Sequence, residues 1–281
     1  MVTIMTDSSC MMTIQEGLEL GILVNPLTVT IDGSTYLDLE EMDSDTFLGI
    51  IDQGHIPISS QPSIGRTLEL YEAHRDRPIL NLTIAEGLSG TYGTATGAVA
   101  ALDGDHAEIR VVNTKTIWAN QSYLVKQALE LAKENLNIDG ILEKLRPALE
   151  NHISYLIPSD FDYLKRGGRL APFAATVGGL LHLMPVLHHS TDGMRLEKFA
   201  MSRGLKNAVH TSIKGLQNAG INSAHLLSIS HGGAPHLADE AYAMLKKAFP
   251  DVEINIHPLS PGMITQGGPK CIAIQSILKI G

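Results

Sequence analysis

The sequence predicts an α/β protein whose two halves follow different patterns. Over residues 1–151, short apolar segments alternate with helical patterns, which is typical of a mainly parallel sheet with helices on both faces. Over residues 152–281, a hairpin pattern and helices around apolar segments predict an α+β unit with a mixed or antiparallel sheet. Because the 281 residues exceed the usual size of one domain, we expect two domains that meet near Asn151.

The elements of the first half follow from apolar periodicity and from turn residues. Asp32 and Gly33 separate two strand-like segments, as expected for a tight hairpin. The predicted strands are 2–5, 27–31, 34–37, 78–83 and 109–113, and the predicted helices are 16–20, 43–51, 64–74, 89–102, 119–135 and 138–150.

The second half contains a predicted hairpin and a strongly apolar helix. Thr191, Asp192 and Gly193 predict the turn between strands 186–189 and 195–200. Residues 173–183 form a helical pattern without a polar face, so we expect this helix to be buried or to line a cavity. The other predicted strands are 153–157, 224–230, 252–257 and 271–277, and the other predicted helices are 161–166, 205–219 and 235–249.

The composition points to a folded protein and argues against nucleic-acid binding. An apolar fraction of 44% and a charged fraction of 18% suit a chain with a sizeable core. The net charge is −9 and there is no run of basic residues, whereas nucleic-acid binding depends on clustered Lys and Arg. Any anion site in this chain must therefore be local and built from a few donors.

The cysteines and the apolar segments predict a cytoplasmic protein. Cys10 and Cys271 are far apart and form no CxxC pair, which suits a reducing compartment. The first residues lack the basic and apolar regions of a signal peptide. The most apolar stretch, 170–181, is shorter than the roughly 20 residues that a membrane-spanning helix needs.

Two loops of the first half carry hydroxyl side chains between a strand and a helix, where ligands bind in open parallel sheets. In ISSQPS, one serine suffices to cap the next helix, which leaves Ser59 or Ser60 free to donate to a ligand. In EGLSGTYGTA, Ser89 stands at the expected N-cap, and Gly90 lets a ligand approach the backbone. Unpaired N–H groups at a helix start favour an anion. Ordinary helix capping explains the first loop equally well.

Two segments of the second half add candidate donors. In YLKRGGRLAP, Lys165 and Arg166 are explained by a helix end with a glycine cap. Arg169 lies beyond the glycines and next to an apolar segment, where a guanidinium is suited to a carboxylate. SPGMITQGGPK is predicted to be a glycine and proline loop, from which Gln266 could reach a ligand, although a plain turn explains it as well.

Motifs for other chemistry are missing from the sequence. There is no GxxxxGK[ST] loop and no GxGxxG after the first strand, which argues against nucleotide binding. The histidine spacings do not match a zinc site. GLSGT around Ser89 differs from the GxSxG nucleophile motif, and Asp7 is a weak catalytic candidate because an Asp at this position more often caps a helix. We therefore expect no metal, no cofactor and no catalytic residue.

The chain resembles the DegV family of bacterial fatty-acid-binding proteins over nearly its whole length. The shared motifs, in order, are TDSS, SSQPS, LSGTYGTA, LIPSDFDYLKRGGRL, MPVLHHSTDGM and GGP. The resemblance implies an N-terminal α/β domain (1–151), a C-terminal α+β lipid-binding domain (152–281) and a fatty acid between them. It also implies a protein that is not itself an enzyme and that presents its ligand to a fatty acid kinase subunit. Transient contact with a membrane surface is a further expectation for a lipid carrier.

The resemblance implies a set of head-group residues as well. Its hydroxyl, serine and arginine positions correspond to Ser59, Ser89 and Arg169, and Ser60 is an adjacent donor. Gln266 stands in TQGGP where the family carries a histidine. Glutamine donates an N–H to a carboxylate but takes no charge near neutral pH, so binding is expected to survive with less charge assistance.

Two alternatives remain open on the sequence. The first is a stand-alone enzyme that acts on a small phosphate or acyl substrate through Ser89 or Asp7. The second is a carrier of a different amphipathic ligand, favoured by Gln266 and by Met184, where family members often carry a lysine.

Overall fold

The computed structural model describes residues 1–168, 183–190 and 192–281. Its strands are β1 (Thr3–Asp7), β2 (Ile22–Asn25), β3 (Thr28–Ile31), β4 (Ser34–Leu37), β5 (Pro57–Ser60), β6 (Ile79–Thr83), β7 (Ile109–Asn113), β8 (His152–Ile157), β9 (Met184–His189), β10 (Leu196–Ser202), β11 (His225–His231), β12 (Glu253–Pro258) and β13 (Ile272–Leu278). Its α-helices are α1 (Ile14–Leu20), α2 (Ser44–Ile51), α3 (Ile64–Ala73), α4 (Thr91–Ala100), α5 (Trp118–Lys133), α6 (Ile138–Glu150), α7 (Phe161–Gly167), α8 (Gly204–Asn218), α9 (Pro235–Ala248) and α10 (Pro261–Gly267).

The first sheet is parallel and has helices on both faces, which confirms the α/β prediction. Its strand order is β2-β1-β6-β7, and each neighbouring pair is parallel. Alternate side chains of a strand point to opposite faces. Ile4 and Leu80 therefore pack with α5 and α6, whereas Met5 and Ile79 pack with residues of α3 and α4.

A small antiparallel sheet, β4-β3-β5, lies beside the parallel sheet. Its hairpin β3–β4 is confirmed, but the sequence patterns predict neither β5 nor β2. Ser59 and Ser60, expected in a loop, instead end β5, where Ser59 pairs with Val29. This strand has four residues that are alternately buried and exposed, and proline and serine make up most of it. Such a short, polar segment gives too weak a periodic signal.

The second sheet is mixed, as predicted, with the order β10-β9-β8-β13-β11-β12. Its neighbours are antiparallel except for β11 and β12. Helices α8 and α9 pack on one face, against Tyr155, Val186 and Ile274. No helix within the described ranges is long and apolar enough to cross a membrane.

The opposite face of the mixed sheet packs on the first half of the chain. Leu156 and Leu187 share a core with Val29 of the small sheet, with Trp118 and with Met263 of α10. The sequence predicts a loop over α10, and this prediction is wrong. Pro261 occupies the first turn of α10, where its missing N–H is harmless, and the glycine pair Gly267-Gly268 lies at the end of the helix. The predicted apolar helix 173–183 lies outside the described residues except for its last residue.

Gln275 joins the mixed sheet to the start of α5. This fully buried residue of β13 donates from Nε2 to the carbonyl of Ile117 (2.9 Å) and to Ser154 Oγ (2.7 Å). Its Oε1 accepts from the N–H of Ala119 (3.0 Å). Buried polar groups are costly unless they are paired, so the bonds to Ile117 and Ala119 hold the two halves in one arrangement, and the bond to Ser154 orients Gln275 within the mixed sheet.

Replacing Gln275 with Leu should destabilise the protein while keeping a similar volume. The substitution leaves the N–H of Ala119 and the carbonyl of Ile117 without their partner, so we expect the free energy of unfolding to fall by about 2–4 kcal/mol. Urea unfolding followed by circular dichroism measures this change. The control is Gln217→Leu on the exposed surface of α8, with an expected change within about 0.5 kcal/mol. Equal stability of the two variants would contradict the prediction.

Candidate functional site

A cavity opens between the mixed sheet, the small sheet and the carboxyl end of the parallel sheet. Together with the open solvent at its mouth, it encloses about 580 Å³ of space between atoms. Most of its wall is apolar and includes Leu88, Ile117, Trp118, Leu156, Leu196 and Met263. Hydroxyl and amide groups from Ser59, Ser60, Gln61, Ser89 and Gln266 also line it. The structure therefore brings together the predicted site residues Ser59, Ser60, Ser89 and Gln266.

Ser59 and Gln266 form a direct link across the cavity wall. Ser59 is buried at the end of β5, and Gln266 Nε2 donates to its Oγ over 2.9 Å. Gly167 lies against the same amide, because a methyl group there would sit 1.9 Å from Gln266 Oε1. With its oxygen accepting from Gln266, the Ser59 hydroxyl keeps its own proton to donate.

Ser89 lies in the turn between β6 and α4. Its hydroxyl is 2.8 Å from the hydroxyl of Thr91, and its residue is buried. The N-cap of α4 is Gly90 rather than Ser89, so the predicted cap position is wrong by one residue. Gly90 has a steric role, since a methyl group on it would lie 2.3 Å from the Gln61 side chain. Any larger residue would push Gln61 away from this end of the cavity.

Ser60 and Gln61 carry the polar wall from β5 to α4. Ser60 is exposed, as expected for the residue that follows buried Ser59 in a strand. Gln61 Nε2 donates to Thr94 Oγ1 over 2.9 Å, which fixes the segment after β5 against α4. Ser63 caps α3 by accepting from the N–H of Arg66, and Pro62 precedes this cap.

The basic segment after β8 is described only in part. Lys165 and Arg166 are in the last turn of α7, and Gly168 ends the helix at φ +68°, as the sequence predicts. Both side chains are exposed, and the Arg166 guanidinium lies 4.5 Å from the centre of the Tyr163 ring. The predicted head-group residue Arg169 lies outside the described residues.

A buried carboxylate positions α10 and, through it, Gln266. Asp38 Oδ2 accepts from Ser8 Oγ (2.6 Å) and Ser260 Oγ (2.9 Å), and Oδ1 accepts from the N–H of Gly262 (2.9 Å). Burial raises the pKa of Asp38 to about 6, although these three hydrogen bonds lower it. No sequence motif indicates this contact, because its partners are 30 and more than 200 residues away.

Asp7 has a structural position. It caps the turn of 3₁₀ helix Ser8–Cys10, as the sequence favours, and its carboxylate also accepts from the N–H of Ile84 over 2.9 Å. Burial raises its pKa, and hydrogen bonds from Ser9, Ile84 and Gln121 oppose that shift. Asp7 is absent from the cavity lining.

The cavity also contains residues that the sequence patterns do not single out. They include Gln61, Trp118 and His189. Leu187 and His189 are two residues apart in a predicted strand, so alternation was the signal that could have placed His189 on the same face as Leu187. Among the residues that the structure describes, no cluster of three or more His, Cys, Asp or Glu side chains could hold a metal ion.

The fold and this site define an α/β protein with two main sheets around a largely apolar cavity that carries neutral polar groups. The DegV family model, described as a family of uncharacterised proteins, matches residues 1–279. The chain belongs to the DegV family.

Relatives of known sequence and structure cover nearly the whole chain. DegV domain-containing protein YteA of Lactococcus lactis is 32% identical over 283 residues, which are 98% of this chain and 96% of YteA. The fatty acid binding DegV family protein SAG1342 of Streptococcus agalactiae is 25% identical, with a TM-score of 0.88 and 99% of each chain covered. A DegV family protein of Thermus thermophilus that binds fatty acid is also 25% identical, with a TM-score of 0.87 and 99% of each chain covered.

Asp38 should give the stability of the protein a distinctive pH dependence. Its folded-state pKa of about 6 lies above the ordinary value of 3.8, so the folded protein holds this proton more tightly than the unfolded chain does. The stabilisation is complete below pH 3.8 and is lost as the pH rises through about 6. The free energy of unfolding of the wild type, minus that of Asp38→Asn, should therefore fall by up to about 3 kcal/mol from pH 4 to pH 7.

Urea unfolding of both proteins at several pH values measures this difference. Asp45→Asn, on the exposed side of α2, is the matched control. A difference between wild type and Asp38→Asn that stays constant with pH would show that Asp38 does not titrate in this window.

Proposed function

We propose that this protein binds a long-chain fatty acid in the cavity. The carboxylate lies at the wall formed by Ser59, Ser60, Ser89 and Gln266, and Arg169 joins it on the strength of the family resemblance. The acyl chain runs along the apolar wall of the second half of the chain. The observation that carries this proposal is the composition of the cavity, in which neutral donors meet an otherwise apolar lining.

Burial of the chain supplies most of the binding free energy. Each methylene removed from water contributes about 0.8 kcal/mol, so a sixteen-carbon chain gains on the order of 10 kcal/mol before the costs of association. Hydrogen bonds to a charged head group add roughly 1.5–3 kcal/mol each. The chain therefore determines affinity, and the polar wall determines orientation.

The carboxylate also benefits from the start of α4. This ten-residue helix begins at Thr91 with no side-chain cap on its N-cap residue, and the N–H of Thr91 makes only a long bond of 3.4 Å to Ser89 Oγ, so its first turn offers backbone N–H groups next to Ser89. Such groups and the helix dipole favour negative charge. The described residues that line the cavity include no Lys or Arg. Neutral donors and the start of α4 therefore stabilise the negative charge of the carboxylate.

The proposal includes two domains and a partner. Residues 1–151 and 152–281 form the domains, and the cavity lies where they meet. Exposed Ser60 and Gln61 leave the head-group end open to a kinase subunit, which would phosphorylate the carboxylate.

Ile58 (63% exposed) and Ile64 (50% exposed), on either side of that pair in the sequence, suit transient contact with a membrane surface. Free, buried Cys10 and Cys271 suit the reducing cytoplasm.

A stand-alone enzyme that uses Ser89 has less support. A serine nucleophile needs a base within hydrogen-bonding reach, and the Ser89 hydroxyl instead faces the hydroxyl of Thr91. Asp7 is fully engaged in its own hydrogen bonds. The geometry therefore favours a ligand-binding role over catalysis.

Purified protein should contain fatty acid at close to one molecule per chain. Denaturing it in solvent and analysing the extract by mass spectrometry measures this ratio, and a ligand-stripped sample titrated with palmitic acid measures affinity. A different amphipathic compound at this ratio would replace the fatty acid as the proposed ligand. Absence of any bound fatty acid, together with no binding of palmitic acid, would refute the proposal.

Replacing Ser89 with Ala should weaken palmitic acid binding about 10- to 100-fold, because a hydrogen bond to the charged head group is lost. The loss should be several-fold smaller for methyl palmitate, which has no charge. Isothermal titration calorimetry measures both, and Ser34→Ala on exposed β4 is the control. Unchanged palmitate affinity would remove Ser89 from the head-group site.

A further inference from the structure

His189 lies on the cavity face of the mixed sheet. Side chains alternate along β9, so His189 shares its face with Leu187, which belongs to the core between the sheets. Across the sheet it pairs with Leu196 of β10, and both residues line the cavity. The neighbouring His188 points to the other face, where its ring packs on Phe199 at 5.6 Å between ring centres.

The imidazole of His189 has no strong hydrogen bond within the described part of the chain. The residue is partly exposed, but both ring nitrogens are buried, and neither has a partner of normal geometry there. The backbone of Lys115 lies close enough to the ring to raise its pKa by hydrogen bonding, but this contact does not meet normal hydrogen-bond geometry. Buried polar atoms in native proteins are almost always paired, so an imidazole at the wall of a cavity that lacks a partner of normal geometry among the described residues points to a ligand.

The ring is uncharged at neutral pH. Burial lowers the pKa of His189 to about 4, nearby His152 lowers it as well, and the backbone at Lys115 opposes the shift. A neutral imidazole has one N–H donor and one acceptor nitrogen. The donor nitrogen can bind a hydroxyl or carbonyl oxygen, and the acceptor nitrogen can bind the proton of a hydroxyl group.

His189 is also set apart from the wall proposed for the carboxylate. Gly267 follows Gln266 and packs on Leu156. A methyl group added to Gly267 would lie 3.7 Å from the Leu156 side chain. Leu156 pairs with Leu187, and His189 lies two residues farther along β9, about 7 Å away. This placement beyond the Leu156–Leu187 pair suits contact of His189 with the acyl chain rather than with the carboxylate.

We propose that His189 hydrogen-bonds a neutral oxygen on the acyl chain, so that the preferred ligand is a long-chain hydroxy or oxo fatty acid. This inference rests on the proposed function and specifies its ligand class. The outer torsion of a histidine side chain is soft, so the ring can turn either nitrogen toward the cavity. A plain saturated chain would instead cover both nitrogens and leave them unpaired.

The test compares stearic acid with its hydroxy and oxo derivatives substituted at successive carbons, titrated into ligand-stripped protein. At least one derivative should bind about 10-fold more tightly than stearic acid. His189→Leu should remove this preference, because leucine offers neither donor nor acceptor. His189→Gln, which keeps both, should retain part of it.

His188→Leu is the matched control, because it makes the same change on the opposite face of the same strand. It should keep the preference of the wild type. If the leucine variants do not fold, the wild type labelled with ¹⁵N-histidine decides the matter. A ring-nitrogen resonance of His189, assigned through His189→Gln, should shift more with the preferred derivative than with stearic acid.

The outcomes separate the two proposals. If stearic acid binds as tightly as every derivative, or if His189→Leu keeps the preference, the assignment of His189 is wrong while fatty-acid binding stands. If the His189 ring-nitrogen resonance shifts equally with stearic acid and with the derivative, the assignment of His189 is also wrong. If no fatty acid of either kind binds, the proposed function fails, and the assignment of His189 fails with it.

Discussion

The buried carboxylate of Asp38 is the interaction on which the site depends most. It joins three segments that are remote in sequence, namely the turn after β1, the end of the β3–β4 hairpin and the start of α10. Burying a carboxylate is unfavourable, which is why its pKa is raised, and the contact persists because both oxygens are paired. Since α10 carries Gln266, the carboxylate sets where that amide meets Ser59. The polar wall of the cavity is thus fixed by a residue outside the cavity.

Gln275 is the counterpart of Asp38 on the other side of the cavity. Its carboxamide binds the backbone of Ile117 and Ala119 at the start of α5, next to the cavity residue Trp118. Both links are buried and polar, so each tolerates only one arrangement of its partners. An apolar interface between the halves would permit sliding, because hydrophobic contact is not directional. The two polar links are directional and therefore restrict how the segments next to the cavity can shift.

The sequence predicts regular elements well and the site only in part. Strands such as β6 and β7 and helices such as α5 carry strong periodic signals, and Ser89 and Gln266 stand out through motifs shared with the family. β5 and α10 are missed because their proline, glycine and serine residues mimic loops. Asp38 and His189 are missed for a different reason. Their importance lies in partners or neighbours brought close by folding, and local patterns hold no information about such contacts.

The neutral character of the polar wall follows from how tightly Gln266 is held. Ser59 engages its nitrogen at 2.9 Å, and Gly167 approaches its oxygen so closely that even a methyl group would collide. An amide fits this slot because it is planar and needs no counter-charge. A charged side chain there would lose solvation on both sides while facing only hydroxyl and backbone groups, which is costly in a buried site. The described part of this wall therefore offers directed hydrogen bonds and the start of α4 rather than a positively charged side chain.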